Sequence, residues 1–140
     1  MPKETVLQET PQPVNGLYDE PMWQSVGERA FKLQKCSMCK GWQYPPAPIC
    51  THCGSDELQW TPVSGTGVII SWVIFHKTYL PAYPAPYNVV AVRLSEGPVI
   101  VSNLELPFTK GSWIGLSVQL VYVSMPDGFI LPRFRLANPA

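Results

Sequence analysis

Cys36-Ser37-Met38-Cys39-Lys40-Gly41-Trp42-Gln43-Tyr44-Pro45-Pro46-Ala47-Pro48-Ile49-Cys50-Thr51-His52-Cys53-Gly54 contains all 4 cysteines of the 140-residue chain. They form two Cys-x-x-Cys pairs, Cys36/Cys39 and Cys50/Cys53. A two-residue gap lets both sulfurs of a pair reach one ion from a tight turn. Four thiolates make the soft tetrahedral set that zinc accepts. Catalytic zinc keeps one position open for water or substrate, and four sulfurs leave none. Cys36, Cys39, Cys50 and Cys53 are therefore expected to hold one structural zinc ion. Gly41 and Gly54, just outside the pairs, read as the turn residues. His52 could replace a cysteine as ligand, although an exposed histidine on the turn is the simpler reading. Iron could occupy the same sulfurs, as in rubredoxin-type knuckles, and would make the site redox-active. Lys32, Lys35 and Lys40 would offset the negative charge of a four-thiolate centre.

Outward from the cysteines, the period of the sequence changes twice. Upstream, Phe31, Leu33 and Lys35 alternate with Lys32 and Gln34, which predicts a strand entering the first pair. Before it, Asp19 reads as a helix N-cap, with Glu20 and Pro21 in the first turn and Met22, Trp23, Val26 and Ala30 at helical spacing. Residues 1–16 read as a flexible polar tail. Downstream, residues 58–63 predict another strand. After Gly65-Thr66-Gly67 the chain becomes rich in β-branched residues. Strands are expected at 68–75, 89–94, 99–104, 118–124 and 130–136, with turns at Glu96-Gly97-Pro98 and Pro126-Asp127-Gly128. Five closely spaced strands are economically closed into a small barrel, of OB type or, alternatively, SH3-like. The expected fold is mainly β: an N-terminal helix (17–30), a rubredoxin-like zinc ribbon (31–64) and a five-stranded OB-fold barrel (65–140). Residues 77–86, with Tyr79, Pro81, Tyr83, Pro84 and Pro86, form a proline- and tyrosine-rich loop of the kind that often carries function.

Composition narrows the function classes. Apolar residues make up 46 % of the chain, enough for a core. The 16 prolines limit helix. No apolar run approaches a membrane span, and residues 1–10 carry no secretory signal, so a cytoplasmic location is expected, where four paired cysteines favour metal over disulfides. Ten basic residues balance ten acidic ones. A single-stranded nucleic-acid binder needs a basic track beside stacking aromatics. The barrel offers only Lys77, Arg93, Lys110, Arg133 and Arg135 against Glu96, Glu105 and Asp127, which leaves that function as the weaker alternative. With only His52 and His76 and no spare cysteine, no nucleophile–base–orienter set is visible, so a stand-alone enzyme is not expected. His76, after Phe75 at a strand end, could serve as a base or a ligand contact, or simply bond a neighbouring carbonyl.

The combination of the helix, Cys36-Ser37-Met38-Cys39, Tyr44-Pro45-Pro46, Pro48-Ile49-Cys50-Thr51-His52-Cys53-Gly54-Ser55, Leu58-Gln59-Trp60, Ser64-Gly65-Thr66-Gly67, Pro86-Tyr87, Asn103-Leu104 and Leu131-Pro132-Arg133-Phe134 resembles the zinc-ribbon plus OB-fold proteins of acyl-CoA metabolism. The likeness spans roughly residues 17–136. It implies a non-catalytic accessory subunit of a thiolase-like enzyme: a thiolase, lipid-transfer-type aldolase, acyltransferase or hydroxymethylglutaryl-CoA synthase. The ribbon and helix would dock on the partner, and the barrel would hold or guide an acyl-CoA thioester. Within the span of the likeness, Trp72, Phe75, His76, Tyr87 and Asn103 would contact the ligand, and Arg133 could face a phosphate or make a surface salt bridge. The aromatics could equally belong to the core.

Overall fold

The structure, a computed structural model, describes residues 10–138. One helix, α1 (Glu20–Gly27), precedes eight strands. Strands β1 (Lys32–Cys36), β2 (Trp42–Gln43) and β3 (Leu58–Pro62) form a three-stranded antiparallel sheet in the order β2-β1-β3. Strands β4 (Thr66–Phe75), β5 (Tyr87–Leu94), β6 (Val99–Ser102), β7 (Ser117–Ser124) and β8 (Ile130–Leu136) form the second sheet, in the order β6-β5-β4-β7-β8. The chain is mainly β, as its turn-punctuated runs predict. Among the described residues, no helix is long and apolar enough to cross a membrane.

The second sheet curls into a half-barrel. Strand β4 pairs with β5 along its length and with β7 only at Thr66, Gly67 and Val68. A register shift between Ile69 and Ser71 bends it there. The two ends of the sheet approach each other at a parallel bridge between Leu104 and Phe134. Phe134 N donates to Asn103 O at 3.0 Å and Glu105 N to Phe134 O at 2.7 Å. A five-stranded, partly open Greek key is the OB arrangement. Gly67 sits where β4 serves both neighbours. A Cβ there would lie 2.6 Å from Val92 Cγ1 and 2.8 Å from Arg93 O, so only glycine lets the strands approach this closely.

Helix, ribbon and half-barrel share one core. Met22 and Val26 from α1 and Phe31 and Leu33 join Ile69, Val90, Val92, Ile100, Val118 and Phe134. Phe31 N donates to Tyr122 Oη at 2.7 Å, which fixes the ribbon's entry to β7. The helix is shorter than the predicted 17–30. Arg29, at φ 58, turns the chain left-handed and ends it. Asp19 is the N-cap residue but makes no side-chain cap bond; its Oδ2 accepts instead from Gly16 N at 3.3 Å. The predicted tail falls mostly on residues 1–9, which lie outside the described residues, while Thr10 is buried.

Clean alternation in β1 fails at Gln34, which is buried beside Leu33. Gln34 Nε2 donates to Ala47 O at 3.0 Å, and its Oε1 accepts from Ala47 N and Gln43 Nε2, each at 2.9 Å. Gln43 in turn accepts from Thr51 N at 2.9 Å and donates to Ile49 O at 3.2 Å. Two buried amides thus hold the proline-rich arm between the cysteine pairs, where no strand pairs it. Each satisfies donors and acceptors that would otherwise be stranded. Gly67→Ala should lower unfolding free energy by about 2 kcal/mol, the usual cost of forcing a methyl into a packed site. Urea denaturation at unchanged m-value checks this.

Candidate metal centre and ligand groove

The two cysteine pairs fold as near-copies of each other. Cys36 N donates to Gly41 O at 2.9 Å, and Cys50 N to Ser55 O at 2.7 Å. Lys40 N donates to Cys36 O and Gly54 N to Cys50 O, both at 2.9 Å. Lys40 (φ 64) and Gly54 (φ 78) take the same left-handed turn after each pair. The first turn residue is therefore Lys40, not Gly41. Gly41 has a different reason to be glycine: a Cβ there would sit 2.6 Å from His52 Cδ2 and 3.2 Å from Cys39 Sγ. His52 does not reach the sulfurs as a ligand; its Nε2 bonds Trp42 O at 2.9 Å.

All four sulfurs lie within 4.8 Å of one another. The pairs Cys36/Cys53 and Cys39/Cys50 are 3.7 and 3.6 Å apart. A tetrahedron with zinc–sulfur bonds of about 2.3 Å has edges of about 3.8 Å, so the donor set fits zinc in spacing and in chemistry. Backbone amides are aimed at the sulfurs, with Gly41 N 3.4 Å from Cys39 Sγ and His52 N 3.3 Å from Cys50 Sγ. The Cys39 amide, chiefly, lowers the Cys36 thiol to about 6 against the opposing effect of burial. At Cys53 the Ser55 amide pulls downward, but burial and the three neighbouring sulfurs together push the thiol up to about 12. Four crowded thiols cannot all ionise alone, and a dication removes that conflict. Such a metal has no open position, so it cross-links the two turns and supplies no reactive site.

The barrel residues expected to meet a ligand do not all converge. Trp72 lies against the core and stacks on Trp113, with centroids 4.4 Å apart. Phe75 stacks on its cross-strand partner Tyr87 at 5.1 Å, and Tyr79 meets Phe75 edge-on at 6.1 Å. His76 is exposed just beyond β4. Asn103 Nδ2 donates to Asn88 O at 2.5 Å, and Arg133 Nη1 to Glu105 Oε1 at 2.7 Å. Asn103 and Arg133 line a cleft of ≈ 180 Å³ between α1, β6 and β8, with Trp23, Tyr44, Tyr83 and Val101 among its walls. A second cleft of ≈ 240 Å³ adds Tyr87 and Val89 and shares Tyr83, Val101, Ser102 and Asn103 with the first. Of the six residues read from the sequence, Tyr87, Asn103 and Arg133 line this groove. Phe75 backs Tyr87, whereas Trp72 and His76 line neither cleft.

Tyr83 was visible only as part of an unusual loop. Val101 looks like any strand valine until its 66 % exposure is seen. Asn88 carries no motif. It is buried, donates from Nδ2 to Leu104 O at 2.9 Å and accepts from Leu104 N at 2.6 Å, holding the end of β6 in place. Replacing Cys36 or Cys50 with serine should lower zinc affinity by more than about 100-fold, the upper end of the loss from removing a ligand's supporting hydrogen bond alone. Affinity should also fall as pH falls, because zinc must displace protons from the thiols. Metal content per chain and competition with a chromogenic chelator measure both.

Comparison with known proteins agrees with this architecture. Residues 23–59 match the ChsH2 rubredoxin-like zinc ribbon domain, and residues 60–123 the ChsH2 C-terminal OB-fold domain. A DUF35 domain-containing scaffold protein of Pyrococcus furiosus is 38 % identical over 99 residues, covering 66 % of this chain and 71 % of the relative. A probable enoyl-CoA hydratase alpha subunit of Thermomonospora curvata is 34 % identical over 122 residues, covering 86 % of this chain. A 3-oxo-4,17-pregnadiene-20-carboxyl-CoA hydratase alpha subunit of Mycobacterium tuberculosis is 25 % identical over 105 residues, covering 75 %. This chain spans only 38 % and 33 % of the length of those two hydratase subunits. Among solved structures, a chain of the Ltp2-ChsH2(DUF35) aldolase superposes with TM-score 0.83 at 31 % identity, covering 91 % of this chain and 100 % of that one. With its four-cysteine ribbon followed by a curled five-strand sheet, the chain belongs to the DUF35 family and carries the ChsH2-type zinc ribbon and OB-fold domains.

Proposed function

We propose that this chain is a non-catalytic accessory subunit that docks on a thiolase-like enzyme and binds or guides its acyl-CoA substrate. The observation that carries the reading is the likeness to the whole of a chain in the Ltp2-ChsH2(DUF35) aldolase, at 31 % identity. Two relatives are named as hydratase subunits for CoA thioesters, which supports the same class of substrate. The chemistry of the described residues agrees. The cysteines are committed to a closed metal set, and the two histidines stand apart from any nucleophile. The groove is apolar, which suits a substrate that must be held rather than transformed.

The surface supports docking through the ribbon and the segment before α1. Met38 at the first cysteine turn is 65 % exposed, Ile49 beside the second 50 %, and Leu17 before the helix 85 %. Apolar side chains held open on a metal-stiffened scaffold are what a partner interface requires. The balanced charge and the ion-paired Arg133 give nucleic acid no comparable footing.

The test is reconstitution with a thiolase-like enzyme from the same organism. The zinc-loaded chain alone should turn over no acyl-CoA and should co-elute with the enzyme at fixed stoichiometry. Met38→Glu combined with Ile49→Glu should weaken the complex at least tenfold while zinc content stays the same. A chain that remains unbound beside every thiolase-like protein of its host would end this reading.

A further inference from the structure

We propose that the cleft between the two cysteine turns and the Glu96-Gly97-Pro98 turn of the half-barrel receives an arginine side chain of the partner enzyme, which pairs with Glu96. This rests on the docking reading above and names a polar contact that anchors it. The cleft is ≈ 460 Å³. Lys40, Gly41 and Trp42 line it from the first cysteine turn, Thr51 and His52 from the second, and Glu96 from the hairpin between β5 and β6. Glu96 is fixed there. Its Oε1 accepts from Ser64 N at 2.6 Å, on the link between β3 and β4. The hairpin that carries it is closed by Leu94 N donating to Pro98 O and Gly97 N to Leu94 O, each at 2.9 Å. Oε2 is buried, and among the described residues nothing donates to it. A buried carboxylate oxygen without a donor has lost hydration and gained no bond in exchange.

The side-chain donors along the cleft are engaged elsewhere. Lys40 Nζ bonds Ser37 O at 2.7 Å, His52 Nε2 bonds Trp42 O at 2.9 Å and Gln43 Nε2 bonds Gln34 Oε1 at 2.9 Å. A cation from outside the chain would complete Glu96, with a charge-assisted bond at Oε2. The lining favours arginine over lysine. Trp42 and Tyr44 add aromatic rings, and the Trp42 ring already draws the Lys35 ammonium to 5.2 Å from its centroid. A planar guanidinium can lie against a ring while its N–H fork meets a carboxylate, which a compact ammonium does less well. The surroundings point to a protein as the source. Exposed Met38 sits between Cys36 and Cys39, and exposed Ile49 adjoins Cys50, so the turns that line the cleft also carry the apolar docking residues. An arginine desolvated within an apolar surround is a common interface anchor.

Two measurements on the zinc-loaded full chain test the assignment. The first is the affinity for a thiolase-like enzyme of the same organism. Glu96→Gln keeps the shape of the side chain and an acceptor for Ser64 N but removes the charge. Glu57→Gln removes the same charge from an exposed ribbon position that does not line the cleft. Glu96→Gln should weaken the complex at least about tenfold, as loss of one member of a buried charge pair does, and Glu57→Gln should leave it unchanged. Glu96→Asp, which draws the carboxylate back, makes the same comparison if Glu96→Gln does not fold. The second is an amide NMR titration with N-acetyl-arginine amide and its uncharged analogue, N-acetyl-citrulline amide. The arginine compound should shift the amides of Gly41, His52 and Gly97 in wild type but not in Glu96→Gln, and the citrulline compound should shift none of them. An enzyme complex as tight with the Glu96 variants as with wild type would overturn the arginine contact and leave the docking reading standing. Equal shifts from arginine and citrulline would overturn the cation. Failure of wild type to bind any thiolase-like enzyme of its host would overturn both readings.

Discussion

Bringing four thiols within 4.8 Å of one another is unfavourable unless something holds them together. Their protons and their negative charges both oppose it. The raised Cys53 and lowered Cys36 thiols show the conflict, since only part of the set can ionise while the sulfurs face one another alone. A divalent zinc resolves it, and the structure is arranged around that fact. The paired turns repeat the same backbone hydrogen bonds, and amides point at sulfur. Gln34 and Gln43 clamp the arm that joins the turns. Without the metal these elements would have to close a loop with little apolar burial to offset the lost chain entropy.

The consequence reaches beyond the ribbon. Strand β1 ends at Cys36, yet the same segment sends Phe31 and Leu33 into the core shared with the half-barrel and α1. Metal, helix and barrel are thus mechanically linked through five or six residues. The link also sets the cleft between α1, β6 and β8, because Met22 and Val26 of α1 line it and pack into that core. The ribbon and the cleft beside α1 therefore share one core, so a partner seated on the ribbon would be fixed relative to that cleft.

The sequence made some of this legible and hid the rest for physical reasons. The cysteines were readable because two Cys-x-x-Cys pairs give the spacing that coordination of one ion by four thiolates demands. The five barrel strands were readable because turn residues punctuate them; all five begin and end within two residues of expectation, with β6 stopping at Ser102 instead of Leu104. The helix was overextended because nothing in residue type announces that Arg29 turns left-handed. Gln34 read as solvent-facing because alternation assumes one open face, and the proline arm covers that face instead. The groove was the least legible feature. It depends on which strands become sheet ends, and a long-range topology places Tyr87, Asn103 and Arg133 together while sending Trp72 to the core.

The most direct test of the account is hydrogen–deuterium exchange on the zinc-loaded chain with and without a thiolase-like partner. Protection gained across residues 36–53 and 14–26, with little change in β7, is the predicted result. Protection confined to β7, or none at all in a complex shown to form, would contradict a ribbon-and-helix docking surface.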